Sequence, residues 1–157
     1  MSTLAENPRI TPFLWFSDNA EDAVNFYTGI FPNSRILQSV PNQPDITPSK
    51  AKILTIAFVL DGLPFTALNG GPDVPFNHAV SFAIHCANQQ EIDYYWARLT
   101  AEGGSEVACG WLKDKFGLSW QVVPANIGQL VRNPKVMQAV MQMKKFDLAA
   151  LEKAARE

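Results

Sequence analysis

The stretch Asn25–Ile36, NFYTGIFPNSRI, decides the fold, because it holds the end of an amphipathic helix and the start of the next strand. Its aromatic pair belongs to a set of apolar residues at helical spacing: Ala20, Ala23, Phe26, Tyr27 and Ile30. Capping side chains at Ser17–Asn19 precede this set, and Phe31–Asn33 ends it. The pattern predicts one helix followed by a strand at Ser34–Val40.

Further strands are predicted on both sides of this helix. The apolar and aromatic segment Ile10–Phe16 precedes it. Downstream, Asp61-Gly62 is a hairpin signal between two apolar runs, because glycine tolerates positive φ. These runs are Ala51–Leu60 and Leu63–Leu68, and the proline-rich loop Pro41–Lys50 precedes them. The first half of the chain therefore reads βαβββ.

The second half repeats this order. Tyr95-Trp96 lies 69 residues after Phe26-Tyr27, and the same offset superposes Ala23 on Ile92, Ile30 on Leu99, Asn19 on Asn88, Phe13 on Phe82 and Trp15 on Ile84. The predicted elements are a strand at Ala79–Cys86, a helix at Gln89–Glu102, and strands at Glu106–Ala108, Trp111–Lys113 and Leu118–Val123. We predict an α+β fold in one domain, 1–157, with two tandem βαβββ modules at about 8–70 and 76–124 that close one cavity. A helical tail at about 125–157 follows.

Composition excludes several classes of protein. A net charge of −2 gives no bulk basicity to neutralise phosphates, so no nucleic-acid partner is expected. The most apolar stretch, Ile53–Leu60, is far shorter than the ~20 residues of a membrane span, so no membrane partner is expected either. The start MSTLAENPRI has no export signal, and Cys86 and Cys109 form no CxxC motif. We predict a cytoplasmic protein with two reduced, mostly buried thiols.

The chain resembles the PhnB-like branch, often labelled demethylubiquinone methyltransferase-like, of the vicinal oxygen chelate superfamily. That superfamily holds glyoxalases, bleomycin resistance proteins and extradiol dioxygenases. The resemblance rests on ITPFLWF at Ile10–Phe16, NFYTGIFPNSRI at Asn25–Ile36, ALNGG at Ala67–Gly71, CGWLKDKFGLSWQVVP at Cys109–Pro124 and QMKKFDLAALE at Gln142–Glu152. It implies the glyoxalase fold, in which the first and last strands of each module supply four metal ligands.

At those four positions this sequence has Pro12, Thr66, Ser81 and Gln121. Proline has no side-chain donor, and neutral hydroxyl and amide oxygens do not supply the imidazole and carboxylate groups that divalent metals prefer. We therefore predict no metal and no cofactor, and the catalytic residues are unknown. Gln121 either binds a ligand directly or only hydrogen-bonds to Ser81 or a buried water.

Strand alternation assigns the other residues of the cavity. It places Leu14 and Phe16 toward the cavity and Phe13 and Trp15 under the helices. The predicted ligand cavity consists of Leu14, Phe16, Thr66, Leu68, Ser81, His85, Gln121 and Val123. His85 is either a base in this cavity or a half-exposed histidine at a strand end. We interpret His78 as a surface residue, Cys109 as a buried thiol and residues 113–115 as a solvated turn.

Two function classes follow from these residues. The first is a metal-free protein that binds a small molecule. The alternative is an enzyme, either a metal-dependent lyase, isomerase or dioxygenase, or a metal-free one with His85 as base. A methyltransferase that uses a nucleotide-like methyl donor is rejected, because Gly70-Gly71 and Gly103-Gly104 do not lie in a strand–GxGxxG–helix context. Four tryptophans, ten phenylalanines and a methionine-rich tail predict a homodimer.

Overall fold

The computed structural model describes residues 8–157. The chain divides into two compact units, one up to Val74 and one from Pro75 onward. The division lies in the segment that separates the two predicted modules. Residues 1–7, the first part of the segment in which no export signal was predicted, lie outside the described residues. That the two units form a single domain around one cavity stays a prediction.

The first unit is a four-stranded sheet with one helix. Its elements are β1 (Phe13–Phe16), α1 (Ala20–Ile30), β2 (Arg35–Pro41), β3 (Ile53–Leu60) and β4 (Leu63–Asn69). The strand order is β1-β4-β3-β2, so β1 and β2 are the edges of an open sheet. Strand β1 pairs parallel to β4, and the other two pairs are antiparallel. This is the predicted βαβββ order.

The second unit repeats the arrangement and carries the tail. Its elements are β5 (Ser81–Cys86), α2 (Gln89–Thr100), a 3₁₀ turn (Ala101–Gly103), β6 (Ser105–Glu106), β7 (Trp111–Lys113) and β8 (Ser119–Pro124). The strand order is β5-β8-β7-β6, with β5 parallel to β8. Three helices follow: α3 (Ile127–Leu130), α4 (Pro134–Val140) and α5 (Leu148–Arg156). The α+β fold with two βαβββ modules and C-terminal helices is thus confirmed, and each sheet is open rather than closed into a barrel.

The two helices correspond at the predicted offset of 69 residues. The buried residues of α1 include Ala23, Tyr27 and Ile30, and those of α2 are Ile92, Trp96 and Leu99. Each residue of the second set lies 69 positions after its counterpart in the first. Both helices therefore present the same face to their sheets.

The strands before the helices correspond at an offset of 70. Within the ladders, Phe13 pairs with Thr66 and Ala83 pairs with Gln121, and Thr66 and Gln121 each lie four residues after a turn glycine with positive φ. Three residues separate β1 from α1, whereas two separate β5 from α2. Because successive side chains of a strand point to opposite faces, this extra residue reverses the face assignment in β1.

The predicted placement of Leu14 and Phe16 in a ligand cavity is therefore wrong. Both are buried, and they pair with Ala67 and Asn69 on the face packed against α1. Asn69 identifies this face, since its side chain accepts a hydrogen bond from the backbone N–H of Ala20 at the start of α1. By alternation, Phe13 and Trp15, predicted to lie under the helix, point to the opposite face, as do Thr66 and Leu68.

The tail is fixed to the start of α2 and to the β7 hairpin. The Gln89 side chain donates to the carbonyl of Phe146 and accepts from the N–H of Leu148. The buried Phe146 ring also lies where a Cβ on Gly110 would be, 2.3 Å from it, which explains the glycine in the motif CGW. The tail thus packs as part of the second unit. Among residues 8–157 no helix is long and apolar enough to cross a membrane.

Candidate functional site

The face of the second sheet that points away from α2 carries most of the polar residues predicted for the site. The buried residues Leu112, Trp120 and Val122 point toward α2. By alternation, the other face receives Ser81, Ala83 and His85 from β5, Trp111 and Lys113 from β7, and Ser119, Gln121 and Val123 from β8. We use the name polar face for one set of residues on this side of the sheet: Ser81, Trp111, Lys113, Ser119, Gln121 and the neighbouring His78.

Gln121 and Ser81 meet at the centre of the polar face. The Gln121 Nε2 donates to Ser81 Oγ over 2.9 Å, between neighbouring parallel strands. The Gln121 Oε1 has no hydrogen-bond partner among the described residues, and no buried side-chain nitrogen or oxygen there is left unpaired. This oxygen is therefore open to solvent and available to a ligand. The geometry is compatible with both predictions for Gln121, direct binding of a ligand and a hydrogen bond to Ser81, because the bond to Ser81 leaves the Oε1 acceptor free.

His78 is a site residue that sequence reasoning missed. It is exposed, as predicted, but its Nδ1 lies 2.8 Å from the Oγ of Ser119, which is fully buried. Its ring also meets the Trp111 ring edge-on, with the centroids 5.9 Å apart. The signal was its position three residues before β5, which lets the side chain reach back over the adjacent strand β8.

His85 lies on the same face, at the end of β5 that is remote from Ser81. It is exposed at the far end of β5, where it pairs with the buried Val123. Four residues of extended strand separate it from Ser81, a distance of about 13 Å. A ligand atom held by Ser81 is therefore beyond the hydrogen-bond reach of His85. Its position is two residues beyond Ala83, the ladder partner of Gln121, and both interpretations of His85 stay predictions.

Thr66 and Leu68 belong to the first unit, on the face of its sheet opposite α1. Both are half-buried, and the backbone N–H of Thr66 donates to the carbonyl of Pro12 over 3.0 Å. Thr66 therefore offers a single hydroxyl group on this face, among apolar neighbours such as Phe13 and Trp15. Trp15 packs against Gly70, where an added Cβ would lie 2.3 Å from its ring, and this explains the glycine after ALN in the motif ALNGG.

The donor set does not fit a divalent metal. Within residues 8–157 no group of three or more His, Cys, Asp and Glu side chains is arranged to hold an ion. At the position where the sequence resemblance implies a carboxylate ligand, the side chain is the neutral amide of Gln121, and its neighbour is the hydroxyl of Ser81. Charge to offset the dehydration of a cation is absent from both side chains.

Asp114 corrects the prediction of a solvated turn at residues 113–115. Its side chain is 2% exposed, and it accepts hydrogen bonds from the backbone N–H groups of Phe116 and Leu118 and from the indole of Trp120. These bonds lie on the α2 side of the hairpin. The carboxylate therefore holds the β7–β8 turn in shape and takes no part in the polar face.

The two cysteines differ more than predicted. Burial, with a smaller contribution from the Glu91 carboxylate, raises the pKa of Cys86 to about 11. Cys109, predicted to be buried, is half-exposed at a backbone φ of +58°, and its Sγ lies 3.8 Å from the Sδ of Met141. Neither thiol has a contact with a histidine among the described residues: His85 precedes Cys86 in β5, but its side chain points to the opposite face. The arrangement therefore gives no activated nucleophile there.

A separate pocket lies in the first unit. Its volume is about 320 Å³, and it is lined by Ser17, Asp18, Pro48, Lys50, Ala51 and Gly71. The loop Pro41–Lys50 forms one wall, and none of the predicted site residues contributes to it. The pocket is an alternative location for a ligand.

Comparison with known proteins gives a family for the chain. A family model described as 3-demethylubiquinone-9 3-methyltransferase matches residues 8–123. Among solved structures, the PhnB protein from Bacillus cereus is 31% identical, with a TM-score of 0.66 over 74% of this chain and 99% of that one. No curated protein has a matching sequence.

More distant structures share the fold alone. A protein from Pseudomonas aeruginosa is 22% identical, with a TM-score of 0.60 over 72% of this chain and 94% of its own. A mutant of the fosfomycin resistance protein FosX from Listeria monocytogenes, solved with Mn(II) and 1S,2S-dihydroxypropylphosphonic acid, is 18% identical. Its TM-score is 0.53 over 83% of this chain and 98% of that one. Because the family model covers most of its length, the chain belongs to the PhnB-like family described as 3-demethylubiquinone-9 3-methyltransferase.

Proposed function

We propose that this protein binds a small molecule on the polar face through direct hydrogen bonds from Gln121 and Ser81, without a metal. The observation that carries the proposal is the free Gln121 Oε1 beside the Gln121–Ser81 bond of 2.9 Å. An amide held in place by a neighbouring hydroxyl offers an acceptor and a second N–H to a ligand carbonyl or hydroxyl. Trp111 supplies an aromatic surface next to these polar atoms, the usual composition of a small-molecule site.

A thermal-shift screen followed by Gln121→Leu tests this proposal. Any ligand found should bind the variant at least ~1 kcal/mol more weakly, the net contribution of one hydrogen bond. Gln129→Leu makes the same change on the exposed surface of α3 and should leave the affinity unchanged. A folded Gln121→Leu protein that binds as tightly as the wild type would place the ligand elsewhere, with the 320 Å³ pocket the first alternative.

A metal-dependent lyase, isomerase or dioxygenase is the alternative function, and the donor chemistry of Gln121 and Ser81 does not support it. We expect purified protein to carry well under one equivalent of zinc, nickel, manganese or iron. Elemental analysis of the protein after mild purification is the measurement. A stoichiometric metal would favour the enzyme over the binding protein.

We further propose that the family's methyltransferase description does not state the reaction of this chain. Neither glycine pair supports a methyl-donor loop, because Gly70 packs on Trp15 after β4, and Gly103-Gly104 are the last residue and the C-cap of a 3₁₀ turn. Parallel pairing is limited to one strand pair in each sheet, unlike the doubly wound sheet that binds nucleotides. Isothermal titration with S-adenosylmethionine should show no binding.

A homodimer and a cytoplasmic location complete the proposal. Met137 in α4 and Met141 at its C-cap, 40% and 56% exposed, give the second unit an apolar surface. Light scattering at micromolar concentration should return a particle of twice 17.4 kDa. Both cysteines are free, which suits the reducing cytoplasm, and cell fractionation tests that location.

A further inference from the structure

A row of hydrophilic side chains crosses the whole second sheet on the face that points away from α2. In the ladder registers, Ser105 pairs with Lys113, Lys113 with Ser119, and Ser119 with Ser81. Paired residues of adjacent strands point to the same face, and neighbouring strands lie about 4.8 Å apart. Three hydroxyls and one ammonium group therefore stand side by side, next to the amide of Gln121.

Lys113 has no counter-charge on this face. Its side chain has no hydrogen-bond or ion-pair partner among residues 8–157, whereas Lys115 in the same hairpin pairs with Glu102 and Lys145 pairs with Asp93. The two carboxylates nearest in sequence point the other way. Glu106 accepts from Trp96 of α2, and Asp114 accepts from the buried Trp120. The sheet face thus carries a positive charge and no negative one.

Two hydroxyls of the row, those of Ser81 and Ser105, are accessible to an acceptor, whereas Ser119 is fully buried. The Ser119 Oγ is already joined to His78, and the Ser81 Oγ accepts from Gln121, which leaves the hydroxyl hydrogen of Ser81 for another group. An oxyanion next to Lys113 would receive one charge-assisted bond from the ammonium and a neutral bond from an accessible hydroxyl, that of Ser105 or Ser81.

We propose that the ligand of the polar face carries an oxyanion, and that Lys113 binds it together with the accessible serines of the row, Ser81 and Ser105. The inference rests on the proposed function and adds the ligand class: a small acid whose carboxylate or phosphoryl group lies at Lys113 and whose neutral part contacts Gln121 and Trp111. Lys113 determines the preference for anions, while Gln121 contacts the rest of the molecule.

Matched probes separate charge from shape. We would titrate ¹⁵N-labelled protein at low ionic strength with benzoate, with benzamide as its uncharged analogue, and with inorganic phosphate. The backbone amide of Lys113, the side-chain amide of Gln121 and the indole N–H of Trp111 report binding. Benzoate should bind at least about fivefold more tightly than benzamide, the ratio that corresponds to a single ionic contact. Added salt should reduce this ratio by screening.

Variants assign the preference to Lys113. In Lys113→Gln, the affinity for benzoate should fall to within about twofold of the affinity for benzamide, whereas Lys113→Arg should keep most of the preference. Lys153→Gln makes the same change on the exposed surface of α5 and should leave the preference intact. Phosphate binding with the same Lys113 dependence would assign the row to phosphoryl groups, and benzoate alone would assign it to carboxylates.

Three outcomes would overturn the inference. One is that the wild type binds benzoate and benzamide with equal affinity, with chemical-shift changes at Gln121. This outcome would support the proposed function and contradict the preference for an anion. Another is an anion preference that survives in Lys113→Gln. The third is a response confined to Ser17, Lys50 and the pocket they line, which would move the anion site to the first unit and contradict the proposed function as well.

Discussion

The indole nitrogen of Trp120 donates to Asp114 Oδ2 over 2.9 Å, inside the hairpin whose opposite face carries Lys113 and Gln121. The other carboxylate oxygen accepts from the backbone N–H groups of Phe116 and Leu118. One buried carboxylate thus fixes the turn, the α2-facing tryptophan and, through them, the strand positions of the polar face. The motif KDKFGLSWQ therefore encodes both a scaffold and a site.

Asp114→Ala should destabilise the protein severely. The change leaves three donors without an acceptor in a site that is 2% exposed, and we expect a loss of about 3 kcal/mol or more in the free energy of unfolding. Asp114→Asn keeps one oxygen for the turn and loses the charge, so its loss should be smaller. Urea unfolding followed by circular dichroism measures both. Equal stability of Asp114→Ala and the wild type would contradict the structural role.

Asn69 should be needed for the attachment of α1 to its sheet. Its fully buried side chain accepts from the N–H of Ala20 and donates to the Glu21 carboxylate and the Ile53 carbonyl, each donated bond 2.8 Å long. We expect Asn69→Ala to cost about 2 kcal/mol or more in the free energy of unfolding. Thermal unfolding of the variant is the measurement.

Asn69→Asp provides a sharper test of the same contacts. The new carboxylate would face Glu21 Oε1 and the Ile53 carbonyl where two N–H bonds now form, so repulsion should destabilise the variant despite its equal size. Adding Glu21→Gln removes one of the two negative charges and should restore part of the stability. If the double variant unfolds no later than Asn69→Asp alone, the Asn69–Glu21 contact is not the cause.

Cys109 should react with iodoacetamide and Cys86 should not. The pKa of Cys86 is raised to about 11, so only about one thiol in a thousand is ionised at pH 8, and the side chain is also buried. Cys109 is half-exposed. Peptide mass spectrometry after labelling the native protein reads both sites, with urea-unfolded protein as the control in which both should react. Preferential labelling of Cys86 in the native state would contradict the fold of β5.

Acid should weaken the attachment of the tail to α2. Hydrogen bonds from Lys145 and Gln89 to the Asp93 carboxylate lower the pKa of Asp93. A lowered folded-state pKa contributes stability that is present above the unfolded value of about 3.9 and is lost as the pH falls through the folded value. The free energy of unfolding should therefore drop less between pH 6 and pH 3 in Asp93→Asn than in the wild type. The difference in stability should be small because the Asp93–Lys145 pair is exposed. If the variant and the wild type show the same pH dependence, Asp93 does not cause the acid sensitivity.

Sequence periodicity was sufficient for the helices and for the order of the strands. The spacing of Ala23, Tyr27 and Ile30 is repeated 69 residues later, and the residues at both sets of positions are buried. Such a prediction is robust for a helix, because the apolar stripe is wide and a residue stays on the same face when the register is slightly wrong. The hairpin glycines Gly62 and Gly117 were equally readable, and both have positive φ.

The strand faces could not be read from the same offset. One extra residue between β1 and α1 moved Leu14 and Phe16 from the predicted site into the core, since a strand alternates with a period of two and has no margin for such a shift. Asp114 was misjudged for a related reason. Its charge suggests solvent, and only the folded hairpin shows three donors converging on it.

The sequence by itself determined the two βαβββ modules and the resemblance to the family, because local periodicity and residue type suffice for these. Only the tertiary structure decided which residues meet. Gln121 touches Ser81, and His78 touches Ser119, because parallel pairing of β5 with β8 joins segments about 40 residues apart in the chain. Lys113 stands in the serine row for the same reason: a ladder register is set by packing and hydrogen bonding across strands, and no local pattern in the chain encodes it.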